Sequence, residues 1–248
     1  DMLKNENCYK NLGFNLTQQT PLLSIDSQNN FTELGQHSQH FIFKKSYVEL
    51  TGIIDSSKGS YIGPFLDKFE GLHILCFNTD NIYKSADQLY KNGIDVGQIQ
   101  LASRKINYGK EAIAKFKWFM IPKAFTPEGL ICVVEHLTPE LVFQKTLMAH
   151  RNFSSSLLGV TICTNNLREC SDNYSKIFDK NFTSKSLGYE FNFFSNNIIL
   201  LDYGTYKKRY PTEEPPNLPC LASLSLEVLN INSARNFMDS NNISINYR

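Results

Sequence analysis

The sequence predicts an α+β fold that is assembled from a repeated unit of one strand followed by one helix. Short apolar runs typical of buried strands stand directly before residues that cap helices, and amphipathic stretches follow. The clearest unit is residues 71–97, in which an apolar run at 73–78 precedes the capping residues Asp80 and Asn81. Apolar side chains then recur at helical spacing until Gly93, which tolerates the left-handed conformation that ends many helices.

The unit occurs four times along the chain. The other three helices are predicted to begin at Asp1, Asn166 and Asn230. Repeats of this kind indicate a modular architecture. We expect a strand to precede Asp1 and further strands to follow the fourth helix, because the other units have such strands. The units group as two pairs, which predicts two domains, at 1–150 and 151–248, with the first strand of the former and the end of the latter missing.

Composition and charge exclude several classes of protein. The net charge is +1 and Lys and Arg form no extended cluster, so a nucleic-acid partner has no support. No apolar run is long enough for a membrane helix. The sequence contains no P-loop and no G-x-G-x-x-G motif, so we expect no nucleotide cofactor. The six cysteines form no C-x-x-C pair and several lie in apolar runs, which favours a reduced, cytoplasmic setting.

The repeat and several local motifs resemble a known superfamily. The motifs are residues 12–14 (LGF), the strand 47–50 (YVEL), the helix starts at Asp80 and Asn166, and the segment 135–143 (EHLTPELVF). Together they resemble the βαβββ module of the vicinal oxygen chelate superfamily, and the segment 135–143 is similar to the glyoxalase-like-domain family within it. The resemblance implies βαβββ modules that pair into incomplete barrels, each around a cleft.

The resemblance also implies a metal site. Metal-dependent members of the superfamily take ligands from the first and last strands of each module, with the first-strand ligand seven residues before the helix start. Counted from Asp80, that position is His73, and the last-strand carboxylate maps to Glu49. The corresponding first-strand positions of the second half are Gly159 and Ser223, which are poor ligands. The resemblance therefore implies one divalent metal (Fe, Zn, Mn or Ni) at His73 and Glu49.

Each candidate residue also has a structural interpretation. Glu49 has apolar neighbours on its strand, so it either faces the cleft and binds a ligand or pairs with a cation such as Arg104. His73 either binds the metal or forms a hydrogen bond in the core. Arg104 either recognises a substrate carboxylate with its planar guanidinium or lies at the surface. His136 either acts in the cleft as a base or ligand or caps the following turn.

Four further polar or aromatic positions complete the set. Trp118 either stacks on a ligand ring or packs in the core. His40 is a further side chain that can approach the substrate. His150 and Asn152 lie at the junction of the two predicted halves, where we expect them to make structural hydrogen bonds.

Two main function hypotheses follow from the resemblance. The first is a metal-dependent lyase, isomerase or dioxygenase that acts on a small oxygen-bearing substrate, with the metal as Lewis acid. Its candidate residues are Glu49 and His136 for catalysis and Arg104, Trp118 and His40 for substrate binding. The second is a metal-free protein that binds and sequesters a small ligand in the same cleft. An interaction subunit is a third reading, and paired modules of this kind often form homodimers.

Overall fold

The computed structural model describes residues 2–25, 28 and 30–245. The first half contains helix α1 (Met2–Asn11), strands β1 (Thr20–Ile25), β2 (Phe31–Ile42) and β3 (Tyr47–Ile53) and the short helix α2 (Gly63–Leu66). It continues with β4 (Ile74–Asn78), α3 (Ile82–Lys91), β5 (Gln100–Asn107), β6 (Glu111–Met120), β7 (Leu130–His136) and the short helix α4 (Pro139–Val142). The predicted capping role of Asp1 lies outside the described residues.

The second half begins after a short 3-10 helix at Lys145–Leu147. It contains β8 (Ser154–Thr164), α5 (Leu167–Phe178), β9 (Thr183–Lys185), β10 (Gly188–Asn192), β11 (Asn197–Asp202), α6 (Tyr203–Arg209), β12 (Cys220–Val228) and α7 (Ile231–Ser240). None of the helices in these ranges is both long and apolar enough to cross a membrane.

The strands form modules with one shared topology. A seven-stranded sheet has the order β3-β2-β1-β5-β6-β7-β4, and a five-stranded sheet has the order β12-β8-β11-β10-β9. In the modules β4–β7 and β8–β11, the first strand pairs in parallel with the fourth. The fourth strand then pairs with the third, and the third with the second. A parallel pair requires a crossover connection, which the helix after each first strand supplies. The predicted α+β fold with βαβββ modules is therefore confirmed, and one sheet curls into a half-barrel.

Asparagine caps begin the helices that follow the first strands. The side chains of Asn81, Asn166 and Asn230 each accept a hydrogen bond from a backbone N–H group in the first helical turn, at 2.9, 3.2 and 2.9 Å. Such a bond satisfies one of the N–H groups that a helix start leaves unpaired. The sequence left Asp80 and Asn81 open as the cap of α3, and the structure selects Asn81.

The largest core cluster contains residues from both sheets. It combines α3 and strands β6 and β7 of the seven-stranded sheet with α5, β8 and β11 of the second half. Its fully buried members include Ile82, Phe119, Ile131, Ile162, Tyr174 and Leu200. A smaller cluster packs α1 and the following turn against β2 and β3, through Phe14, Phe41 and Leu50. The division of the chain into domains at residue 150 stays a prediction.

Hydrogen bonds of His150 and Asn152 join the start of the chain to its middle. His150 Nδ1 accepts from the backbone N–H of Asn15 at 3.1 Å, and its Nε2 lies 3.1 Å from the carbonyl oxygen of Ile42. The amide of Asn152 donates to the carbonyl oxygen of Leu12 at 2.7 Å. The predicted structural role of both side chains is confirmed.

Gly13 should be far more sensitive to alanine than Gly93. Both have a left-handed backbone, with φ of +86° and +79°. A Cβ at Gly13 would lie 2.6 Å from the ring of Phe237 and 2.9 Å from the backbone nitrogen of Asn152, whereas nothing lies within 4 Å at Gly93. We expect Gly93→Ala to lower the free energy of unfolding by about 1–2 kcal/mol and Gly13→Ala to lower it further. Denaturant titration of both variants measures this, and equal losses would contradict the junction described above.

Candidate functional site

One face of the seven-stranded sheet carries most of the predicted site residues. Directly paired residues on neighbouring strands point to the same face. Glu49 pairs with His40, Arg104 pairs with Leu22, and Phe116 pairs with His136. Although four strands separate β3 from β7, the rings of Tyr47 and His136 on this face lie only 5.9 Å apart. The sheet therefore curls toward this side, which we call the concave face.

Arg104 lies at the centre of the concave face. It is only 6% exposed, although its guanidinium is charged. Its Nη1 donates a hydrogen bond to Nε2 of His40. Its Cζ lies 5.6 Å from the ring centroid of Tyr47 and 5.8 Å from that of Phe116. Nε and Nη2 have no hydrogen-bond partner among the described residues.

Glu49 and His40 form a polar group beside Arg104. The hydroxyl of Ser38 donates to Glu49 Oε1 at 2.5 Å, and Glu49 Oε2 lies 3.5 Å from His40 Nε2. Burial, followed by the charge of Arg104, lowers the pKa of His40 to about 4. His40 is therefore neutral at neutral pH, and its Nε2 is free to accept a hydrogen bond from Nη1 of Arg104.

The carboxylate of Glu49 is ionised and open to solvent. Partial burial disfavours the charged form, but the charge of Arg104 and the hydroxyl of Ser38 hold the pKa of Glu49 below its usual value. The side chain is nevertheless 36% exposed, so water reaches it. The sequence left open whether Glu49 faces a cleft or pairs with Arg104. The structure places it on the concave face, with His40 lying between the two charges.

His136 lies on the opposite wall of the same face. Its Nδ1 is 2.9 Å from Oδ1 of Asn78, whereas its Nε2 is buried without a partner among the described residues. Its ring contacts those of Tyr47, Phe116 and Phe143, with centroids 5.9, 5.2 and 5.3 Å away. Burial, followed by the charge of Arg104, lowers its pKa to about 4. His136 is therefore a neutral group of the concave face.

The segment 135–143 covers part of the concave face. Its Glu135 accepts a hydrogen bond from the backbone N–H of Ile82 at 2.9 Å and so helps to begin α3. Val142 is fully buried on the floor of the face, and Phe143 lies against Tyr47 at 6.0 Å between centroids. The segment 135–143 packs against small residues on β5 and β6, namely Ala102, Ala112 and Ala114. Sequence reasoning missed the cover, although alanines at alternate positions of a strand are its signal.

His73 is not part of this site. It precedes β4, and by the alternation of strand residues it points with Leu75 toward the helices, whereas Cys76 points to the concave face. Its Nε2 lies 2.8 Å from the carbonyl oxygen of Phe69, and its ring packs on that of Phe69 at 4.1 Å. The structure therefore does not bring His73 together with Glu49. It supports the interpretation of His73 as a hydrogen-bonded core residue.

The error arose from the position of the helix start. The cap of α3 is Asn81 and not Asp80, so the position seven residues before it is Ile74, which is on the same side of β4 as Cys76. Ile74 joins Gly159 and Ser223 at the equivalent positions, and none of the three is an effective metal ligand. Within the described ranges, no group of three or more His, Cys, Asp or Glu side chains is arranged to hold a metal. The described residues therefore do not fit the predicted divalent metal.

Trp118 lies on the concave face but apart from the polar group. It is half-buried and pairs with Gln100 on β5 and Val134 on β7, two residues beyond Phe116 along β6. Among the described residues, its ring makes no contact with the rings of Tyr47 or His136. Its predicted role in stacking on a ligand stays a prediction.

Comparisons with known proteins agree with this architecture. A family model described as "Glyoxalase-like domain" matches residues 4–178. A crystal structure of a hypothetical protein from Staphylococcus aureus matches with a TM-score of 0.56 and 13% identity, over 75% of this chain and 77% of that one. A mutant of 4-hydroxymandelate synthase from Streptomyces coelicolor, a vicinal oxygen chelate fold, matches with a TM-score of 0.50 and 12% identity, over 89% of this chain and 67% of that one. No curated protein matches the sequence.

The buried His40 and the half-buried His136 predict a loss of stability in mild acid. Their pKa values are about 4 in the folded protein and near 6.5 in the unfolded chain, so the unfolded chain takes up protons first as the pH falls. The free energy of unfolding should therefore decrease between about pH 6.5 and about pH 4. For each histidine, the decrease is about 1.4 kcal/mol per unit by which folding lowers its pKa. Denaturant titrations across this range measure it. His136→Gln should give a shallower dependence, and an unchanged dependence would contradict the burial of His136.

Proposed function

Because the chain belongs to the glyoxalase-like-domain family, we propose that its concave face binds a small organic carboxylate through Arg104. The observation that carries the proposal is the pair of buried N–H groups, Nε and Nη2, that lack partners among the described residues. Buried polar groups are normally hydrogen-bonded, and leaving one unpaired costs about 1–3 kcal/mol. A ligand that pairs with both groups would remove this cost.

The geometry of the free groups favours a carboxylate among possible anions. Nε and Nη2 lie on one edge of the planar guanidinium, and two parallel N–H donors match the two oxygens of a carboxylate. The rings of Tyr47 and Phe116 near Arg104 provide apolar surface for the body of a small molecule. Their position also keeps water away from the charge, which strengthens its attraction for an anion.

The charges around Arg104 leave room for an anion. Glu49 makes no ion pair with Arg104 among the described residues, and it already accepts the hydroxyl of Ser38. His40 is neutral and occupies only Nη1. Among the described residues, no carboxylate therefore forms an ion pair with the positive charge of Arg104.

This proposal follows the metal-free hypothesis of the sequence analysis. The alternative was a metal-dependent lyase, isomerase or dioxygenase, and the described residues do not provide the ligand set that it needs. That chemistry and a homodimer remain predictions of the resemblance, and a cytoplasmic location remains a prediction from the cysteines.

Thermal unfolding in the presence of small carboxylates tests the proposal. A ligand at 100 times its dissociation constant stabilises the folded state by about 2.7 kcal/mol, which raises Tm by about 5–10 °C for a chain of this size. We expect this shift for at least one of acetate, propionate, lactate and benzoate. The shift should disappear in Arg104→Gln, since the amide of Gln lacks both the charge and the planar fork.

Lys105→Gln is the matched control for this experiment. Lys105 is the next residue of the same strand, so it points away from the concave face and its substitution removes the same charge. This variant should respond to carboxylates as the wild type does. If the wild type shows no shift, or if Arg104→Gln responds equally, the proposed function is wrong.

Carboxylate binding should not depend on a divalent metal. We expect the same ligand-induced shift of Tm after treatment with EDTA and after addition of Fe²⁺, Zn²⁺, Mn²⁺ or Ni²⁺. Elemental mass spectrometry on the same samples reports whether metal is bound. A shift that vanishes with EDTA and returns with one metal would favour the metalloenzyme hypothesis instead.

A further inference from the structure

The unpaired polar atoms of the concave face belong to two residues of opposite hydrogen-bonding character. Nε and Nη2 of Arg104 are donors, and Nε2 of His136 is the third buried atom of this face without a partner among the described residues. Both residues lie within 6 Å of the ring centroids of Tyr47 and Phe116. The unpaired donors and the unpaired acceptor therefore lie beside the same two rings.

The hydrogen bond to Asn78 determines which nitrogen of His136 carries the proton. Nδ1 lies 2.9 Å from Oδ1 of Asn78, and an amide oxygen can only accept a hydrogen bond. Nδ1 must therefore hold the proton and donate it. His136 remains neutral at neutral pH because burial lowers its pKa to about 4. The other nitrogen, Nε2, then presents a lone pair and requires a donor.

Of the donors that a carboxylic acid can carry, a hydroxyl fits best. A protonated amine would bring a second positive charge near Arg104, whose charge already disfavours a proton on His136. A second carboxylate would turn oxygen lone pairs toward the lone pair of Nε2. A hydroxyl supplies the missing proton without a charge.

We infer that the concave face selects hydroxy acids, in which the carboxylate accepts from Arg104 and the hydroxyl donates to Nε2 of His136. This inference rests on the proposed function, since it requires the carboxylate to bind at Arg104. It assigns to His136 the role of a specificity-determining residue and to Asn78 that of a positioning residue for the ring.

A cavity beside His136 offers space for the part of the ligand that carries the hydroxyl, although Arg104 is not among its lining residues. A cavity of about 190 Å³ opens there, and Asn78, Glu135, His136 and Phe143 are among its lining residues. This volume is comparable to cavities that accept a benzene-sized molecule. The cavity extends from the histidine toward the start of α3, so substituents of different length can be accommodated.

Calorimetric titration with matched acids tests the inference. The probes are benzoate, the three hydroxybenzoates and the three methoxybenzoates, together with the pair propionate and lactate. The methoxy compounds keep the oxygen but lose the donated proton. We expect at least one hydroxy acid to bind about 10- to 100-fold more tightly than its unsubstituted and methoxy analogues, which is the usual effect of a buried acceptor left unpaired.

Two variants separate this inference from the proposed function. His136→Phe keeps a ring of similar shape, so it should still bind benzoate but lose the preference for the hydroxyl. Arg104→Gln should lose affinity for every acid in the series. If the wild type binds hydroxy, methoxy and unsubstituted acids equally through Arg104, the inference is overturned and the proposed function stands. If no acid binds, both are wrong.

The protonation of His136 can be measured without a variant. Long-range proton–nitrogen NMR spectra distinguish a protonated from an unprotonated ring nitrogen. We expect Nδ1 to be protonated and Nε2 to be unprotonated at pH 7, with the Nε2 signal moving when the preferred hydroxy acid is added. A proton on Nε2 in the free protein would overturn the inference.

Discussion

A positive charge inside the curled sheet is the constraint on which the organisation of this site depends. Arg104 is almost fully buried, yet only Nη1 of its guanidinium has a hydrogen-bond partner among the described residues. Removing a charge from water is costly unless other groups compensate for it. His40 contributes by staying neutral, and the rings of Tyr47 and Phe116 contribute through their faces. The compensation is incomplete, and a bound carboxylate would complete it.

The two faces of the seven-stranded sheet explain how such a site can exist without weakening the core. Side chains such as Phe119 and Ile131 point to the helices and join the largest cluster, which extends into the second sheet. Their neighbours on the same strands point to the concave face, where a short segment ending at Phe143 covers only part of the surface. Stability is thus provided mainly by one face, and polar groups are concentrated on the other.

The sequence predicted the modules, because they follow from local periodicity, but it left open whether Glu49 faces a cleft or pairs with Arg104. It failed for His73, because a strand alternates every residue and an error of one position in the helix start reverses the face. It also missed the cover formed by Val142, and the indirect link from Glu49 through His40 to Arg104. Those contacts join strands that lie far apart in the chain, and local patterns carry no information on such distances.

The most direct test of this account is the NMR signal of the Arg104 Nε–H group during a titration with the best-binding carboxylate. The signal can be assigned by its loss in Arg104→Gln. Because the carboxylate is predicted to accept a hydrogen bond from this group, the proton signal should move downfield in proportion to occupancy and exchange more slowly with water. A signal that keeps its position and exchange rate at saturating ligand would show that the carboxylate binds elsewhere, and would contradict the central role of Arg104.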